Sequence, residues 1–310
     1  MPRTTRRTVL ASLAALAATR LAAHPARALG SASALDPDWT TPHPPYRIAG
    51  NLFYVGSRDL ASFLVATHEG LILINGNLAT SPVPIRAGVE KLGFRWSDVK
   101  ILLISHAHYD HCAGSAQILK ETGATYMVMD ADVASVQSGG KTDFHFSAHP
   151  EMLFPAAKVN RTLHHGDAVR LGKTTLTAHK TAGHTPGCTT WTLETAVLSG
   201  RAEPSYKAVI VGSPNVLSSY NLIDDPKYPN MAADFRCQFA TLKSLPCDLF
   251  LGAHASYYGM LEKYPSLKAG STANPFVDPR GYHDFVAERQ QAFETELARQ
   301  QKTHTASHPS

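Results

Sequence analysis

Runs of apolar residues, interrupted at short intervals by turn formers, divide this chain into brief strands and helices. "NLFYVG", "ASFLVAT" and "GLILING" are β-rich segments broken by Gly, Ser, Asp and a His-Glu-Gly turn, the pattern of a strand meander. The period then changes. Ser81 is a candidate cap, Pro84 falls in the first turn, and Ile85, Val89 and Leu92 recur on one face before Gly93 stops the helix. "VKILLIS" returns to a strand whose unbroken apolar run predicts burial on both faces. "GSAQILKETG" reads as a helix closed by Gly123, and "TYMVMD" as the next strand.

The second half repeats this style. "AVRLGKTTLTAHKT" is a hairpin turning at Gly172 and Lys173. "TTWTLE", "KAVIVGS" and "CDLFLGAH" are strands, "MAADFRCQFATLKSL" is a helix with Phe235, Phe239 and Leu242 along one side, and "YHDFVAERQQAFETELARQQ" is a C-terminal amphipathic helix. Strands followed by helices, twice over, predict an α/β fold of two sheets packed face to face with helices outside. No repeat of the solenoid kind is present. "LDPDWTTPHPPYRI" reads as an extended arm into the domain, and "KTHTASHPS" as a frayed tail.

Composition bounds the rest. A length of 310 residues with 44% apolar content is ample for a large core. The first 28 residues combine a basic start (Arg3, Arg6, Arg7), an apolar stretch from Val9 to about Ala18 and a small-x-small site at Ala26-Arg27-Ala28. They read as an export signal, and Arg6-Arg7 in "TRRTVL" resembles the twin-arginine type. The apolar stretch is about half of the ~20 residues that a membrane span requires, so no membrane span is expected. This leader holds five arginines and no acid, so its removal takes the formal charge of +4 to about −1, which argues against nucleic acid as a partner. The expected organisation is a leader over 1–28, an arm over 29–48, one domain over 49–302 and a flexible tail over 303–310, with the mature chain a monomer in the periplasm or outside the cell. Free, buried thiols are expected for Cys112, Cys188, Cys237 and Cys247, because Cys237 lies inside a helix that carries it away from Cys247.

The candidate chemistry lies where the "VKILLIS" strand runs out. "ILLISHAHYDHCAG" places His106, His108, Asp110 and His111 in an H-x-H-x-D-H pattern. Imidazole and carboxylate suit zinc. The alternate spacing lets His106 and His108 reach one ion while Asp110 and His111 turn to a second. Two further histidines stand at strand ends: His184 in "TAGHTPGCTTW" and His254 in "DLFLGAH". Three protein ligands per ion leave coordination positions open for water, which is a catalytic rather than a structural pattern; a hydroxide held between two metals is a strong nucleophile at neutral pH. His145, His149, His164, His165 and His179 lack a matching spacing and read as surface or turn residues, and His304 and His308 belong to the tail.

These motifs resemble the metallo-β-lactamase superfamily, whose fold is an αββα sandwich. The likeness runs from "YRIAGNLFYVG" through "SGGKTDFHF", "GHTPGCTTW", "AVIVGS" and "LPCDLFLGAH" to "NPFVDPRGY", and it looks like that of subclass B3. The resemblance implies two zinc ions, the first held by His106, His108 and His184 and the second by Asp110, His111 and His254. It implies zinc-dependent hydrolysis of the amide bond of small-molecule β-lactam antibiotics, and so resistance. Asp110 would also orient the nucleophile. Tyr220 is a candidate to assist at the developing oxyanion, or a packing residue of its turn. Ser213 and Asn215 are candidates to bind the substrate carboxylate, or members of a solvated loop. The resemblance also implies that Ser213 stands where another subclass places a Cys ligand and where glyoxalase-like thioesterases and lactonases place a bridging Asp.

The chain departs from the family pattern at two places: Cys247 faces Tyr282 where many B3 enzymes have a disulfide partner, and Asn75 replaces an acid at the end of the third strand. Competing readings are a lactonase or thioesterase of the same fold, and a zinc-binding interaction protein.

Overall fold

Period-two burial organises the first sheet. In β4 (Gly70–Ile74), Ile72 and Ile74 face one core while Leu71 and Leu73 face another, and in β5 (Val99–Leu103) Ile101 and Leu103 oppose Leu102, with Val99 joining Leu102's side across a register shift at Lys100. Both faces are therefore apolar, as the unbroken run "VKILLIS" requires. In this computed structural model the description covers residues 35–196 and 204–307; the expected leader, 1–28, lies outside them.

The first sheet has seven strands in sequence order. β1 (Tyr46–Ala49), β2 (Leu52–Tyr54), β3 (Phe63–Thr67) and β4 form an antiparallel meander. β5, β6 (Thr125–Met129) and β7 (Arg161–Leu163) then add in parallel. The second sheet has five strands in the order β12-β11-β10-β9-β8. β8 (Ala168–Leu171), β9 (Thr174–Lys180), β10 (Thr189–Glu194) and β11 (Lys207–Val211) pair antiparallel, and β12 (Leu249–Gly252) lies parallel to β11. Residues of both sheets share one buried cluster, which includes Phe63, Ile74 and Leu103 from the first and Leu176, Trp191 and Ile210 from the second. The expected αββα sandwich is the observed architecture.

Helices cover the outer faces. α1 is the turn Pro37–Thr40, α2 spans Pro82–Lys91, α3 Tyr109–Cys112, α4 Ser115–Thr122 and α5 Val133–Ser138. Ile85 and Val89 of α2, Ile118 of α4 and Val136 of α5 pack on the outer face of the first sheet. α6 (Met231–Ser244), α7 (Met260–Lys268) and α8 (Pro279–Ser307) follow, and Phe235 stacks with Phe293 of α8 while Phe239 meets that ring at a tilt. Gly123 ends α4 at φ +67°, a left-handed value that favours glycine.

Four expectations need correction. Segment 35–48 is not simply extended: Asp36 accepts from the Asp38 amide to cap α1, and β1 already begins at Tyr46. The tail does not fray at Lys302, because α8 continues to Ser307, with the Thr303 and Thr305 hydroxyls donating to carbonyls one turn back. Ser81 occupies the cap position of α2 but makes no side-chain cap bond; its own backbone is already helical. All four cysteines are free, yet only Cys112 and Cys188 are buried; Cys237 is exposed on α6 and Cys247 is partly covered.

Strand direction collects the functional loops. β9, β11 and β12 run the same way in the second sheet. The segments leaving them carry His184, Ser213 and His254, and so emerge at one edge. There they meet the loop leaving β5. The Leu60–His254 bridge and the Ala61 amide donating to the Ala253 carbonyl (3.0 Å) tie the β2–β3 loop to the segment after β12.

Candidate metal centre

The six side chains expected to bind metal come together from four segments. His106 and His108 lie in the loop after β5, and Asp110 and His111 sit in the single turn of α3. His184 comes from the β9–β10 loop, and His254 follows β12. All are largely withdrawn from solvent; His254, at 13%, is the most exposed of their side chains.

Donor atoms fall into two sets. One ligand atom each from His106, His108 and His184 lies within 4.8 Å of the others, and His108 Nδ1 is 3.1 Å from His184 Nε2. In the second set, His111 Nε2 is 3.2 Å from His254 Nε2 and 3.2 Å from Asp110 Oδ2, and Asp110 Oδ2 is 3.6 Å from His254 Nε2. His106 also lies within 4.8 Å of Asp110 and His111, so the sets adjoin.

The outward nitrogens fix how these rings face. His184 Nδ1 donates to the Asn215 carbonyl (2.8 Å), which leaves a bare lone pair on Nε2, the atom facing His108. His254 Nδ1 donates to Asp59 Oδ2 (2.8 Å), and its Nε2 faces His111 and Asp110. Two imidazole nitrogens so close repel unless a cation or proton lies between them. Five imidazoles and one carboxylate, arranged as two sets of three, fit a pair of zinc ions.

Charge states divide along the same line. Burial drives His106 well below its ordinary pKa, His108 down to about 4 and His184 down to about 3, with neighbouring rings adding to the shift. These three are neutral bases at pH 7. Burial also acts on His254, but the Asp59 and Asp110 carboxylates outweigh it and raise His254 to about 10. Burial likewise opposes ionisation of Asp110, and His111 and His254 more than compensate, holding its carboxyl well below the usual range.

The remaining candidates sit around this centre. Tyr220 is 1% exposed, its ring lies 5.8 Å from that of His184, and its hydroxyl donates to the His184 carbonyl (2.7 Å). Ser213 is buried after β11, and its hydroxyl lies 3.3 Å from the Tyr257 hydroxyl. Asn215 Nδ2 donates to that same tyrosine oxygen (2.9 Å), while its Oδ1 accepts from Arg289 of α8 (3.4 Å). Both polar candidates thus converge on Tyr257, whose ring is 5.1 Å from that of His254. Asn75 Oδ1 accepts from the Ser105 amide (2.7 Å), so it pins the start of the metal loop without a carboxylate. His145 contacts Tyr220 ring to ring at 4.9 Å and bonds Ser219, so it lies near the site without joining either set.

Sequence reasoning missed Asp59, Tyr257 and Trp39. Trp39 of α1 donates to Asp59 Oδ2 (3.1 Å), and its ring lies 5.7 Å from His254. Asp59 is 195 positions from His254 in the chain, and no spacing rule could connect them.

The model of the metallo-β-lactamase superfamily matches residues 60–271. The native FEZ-1 metallo-β-lactamase of Legionella gormanii is 48% identical; the match covers 84% of this chain and 98% of that one, with a TM-score of 0.81. The class B3 di-zinc enzyme LRA-12, from an Alaskan soil metagenome, is 33% identical over 86% of this chain and 98% of its own (TM-score 0.79). BJP-1 of Bradyrhizobium japonicum, a subclass B3 metallo-β-lactamase, is 34% identical over 86% and 98% (TM-score 0.78). A probable metallo-hydrolase of Burkholderia pseudomallei (strain 1710b) is 32% identical over 111 residues; that match spans 36% of this chain and only 35% of the relative's length. On this fold, this pair of donor sets and these matches, the chain belongs to the metallo-β-lactamase superfamily, with its likeness running to class B3 members.

Proposed function

We propose that the protein hydrolyses the amide bond of β-lactams with two zinc ions, the first held by His106, His108 and His184 and the second by Asp110, His111 and His254. The observation that carries this reading is the pair of facing donor sets, with imidazole nitrogens 3.1 and 3.2 Å apart. Bound zinc supplies a water activated at neutral pH and a Lewis acid for the ring carbonyl. The protein's part is to hold the ions, aim the attack and read the substrate. Asp110, kept ionised, can bind an ion through one oxygen and orient the attacking water through the other. Tyr220 fits a positioning role best, since its buried hydroxyl is spent on the His184 carbonyl. Ser213 and Asn215, with Tyr257, form the polar wall that would meet the substrate carboxylate.

Export is part of the proposal. The basic start and small-x-small site support passage to the periplasm or beyond, and no helix among the described residues is long and apolar enough to cross a membrane.

Turnover by one zinc-loaded sample of a chromogenic cephalosporin, an acyl-homoserine lactone and a glutathione thioester tests the reaction class. Cephalosporin ring opening far above the other two is the expected result. A preference for the lactone or the thioester would move the protein to another branch of the fold.

A further inference from the structure

Asp132 belongs to neither donor set, yet it joins the loops that carry the first. It ends the short 3-10 turn Asp130–Asp132 after β6 and is 2% exposed. Its Oδ2 accepts from the amide of Ala107 (2.9 Å), the residue between His106 and His108. The same oxygen accepts from the hydroxyl of Thr185 (2.9 Å), the residue after His184, while Oδ1 accepts from the Gly187 amide (2.8 Å).

These donors come from different sheets: Ala107 follows β5 of the first, whereas Thr185 and Gly187 lie between β9 and β10 of the second. A buried carboxylate is costly to desolvate, and it is retained where several donors converge on it. The chain is shaped for this approach. A Cβ at Gly187 would lie 2.6 Å from both the Asp132 amide nitrogen and its carboxyl carbon, so glycine alone lets the loop close on the carboxylate. Burial pushes the Asp132 carboxyl up to about 6, which leaves it ionised at neutral pH.

We infer that Asp132 is a positioning residue for the first metal set: a buried clasp that fixes His184 against His106 and His108. Two other contacts between the loops lie nearer the strands, the Thr189 amide to the Ser105 carbonyl (2.7 Å) and the Trp191 indole to the Ile104 carbonyl (3.1 Å). They keep the loops adjacent if the clasp is lost, but they do not reach the segment around His184. The second set has a separate anchor in the Asp59–His254 bond. Loss of Asp132 should therefore weaken one site and spare the other.

The inference rests on the two-metal reading above, and the test separates the two. The full chain is titrated with zinc against a chromogenic chelator, as wild type, Asp132→Asn and Thr185→Val. Thermal unfolding verifies the fold. Hyperfine-shifted ring N–H signals of the cobalt-loaded protein assign each loss to a site. Wild type should bind two ions. Asp132→Asn, which must turn a donor toward donors, should lose about 10- to 100-fold in first-site affinity with the second site unchanged, the scale for outer partners of metal ligands. Thr185→Val removes one bond and keeps the charge; it should show the same selective loss in weaker form, and it carries the test if the asparagine variant does not fold. A folded variant of either kind with wild-type first-site affinity, or with equal losses at both sites, overturns the clasp. Failure of the wild type to bind two ions overturns the two-metal reading and the clasp with it.

Discussion

His254 and Asp59 share a hydrogen bond of 2.8 Å between Nδ1 and Oδ2, and it sets the aim of the ring. Asp59 also accepts from the Ser256 amide (3.0 Å) and the Trp39 indole (3.1 Å), so it links the segment after β12 to the arm. Asp59→Asn keeps the shape and removes the charge. Second-site zinc affinity should fall about 10- to 100-fold while the first site is retained. Equal affinities in the variant and wild type, measured by chelator competition, would show that backbone contacts alone orient His254.

Zinc binding should release a proton at the second site and none at the first. With no ion bound, His254 is raised to about 10 and carries a proton at pH 7, whereas His108 and His184, lowered to about 4 and about 3, do not. Apparent second-site affinity should therefore rise about tenfold per pH unit from 7 to 9, and first-site affinity should stay flat. The same shift has a folding sign. His254 lies above its ordinary 6.5, so its stabilisation of the metal-free fold is complete below that value and is lost as pH rises through about 10. Calorimetry in buffers of different ionisation enthalpy counts the protons directly.

Asp110→Asn should lower kcat by about 100-fold or more, because it removes charge from the second ion and disturbs the orienting oxygen at once. Its effect on folding should be smaller, since the amide keeps the volume. A kcat near that of wild type would remove Asp110 from the mechanism.

Tyr220→Phe separates its two readings. If the hydroxyl serves the His184 carbonyl, the change costs about 1–3 kcal/mol of stability for an unpaired buried acceptor and leaves kcat within a few-fold. A tenfold or greater fall in kcat with unchanged thermal stability would instead place the hydroxyl at the reacting carbonyl.

The double change Ser213→Ala with Asn215→Ala should raise KM for carboxylate-bearing β-lactams and leave kcat within a few-fold, as expected for contacts made equally in ground and transition states. His184 should keep its anchor, because its partner is the Asn215 backbone carbonyl rather than the side chain. An unchanged KM across several such substrates would assign carboxylate recognition to another part of the rim.

Local sequence determined the strands, because residues such as Ile72, Leu73 and Ile74 alternate between two apolar faces and no other period buries them all. It also marked the candidate ligand types, since His106, His108, Asp110 and His111 are neighbours in the chain and their pattern needs no tertiary information. Local propensity failed at the ends. α8 runs past Lys302 to Ser307, with the His304 ring 3.2 Å from the carboxylate of Asp224, a contact the tail's own composition does not encode. The partners of the ligands could not be read at all. Asp59 meets His254, Asp132 meets Thr185 and Gly187, and the Asn215 carbonyl meets His184 only because β9, β11 and β12 deliver their loops to the edge where the β5 loop emerges. Hydrogen bonds between such distant positions depend on strand order and register, which are set by burial over whole sheets, so the chain names the donors and the folded sandwich decides which of them are held, and by what.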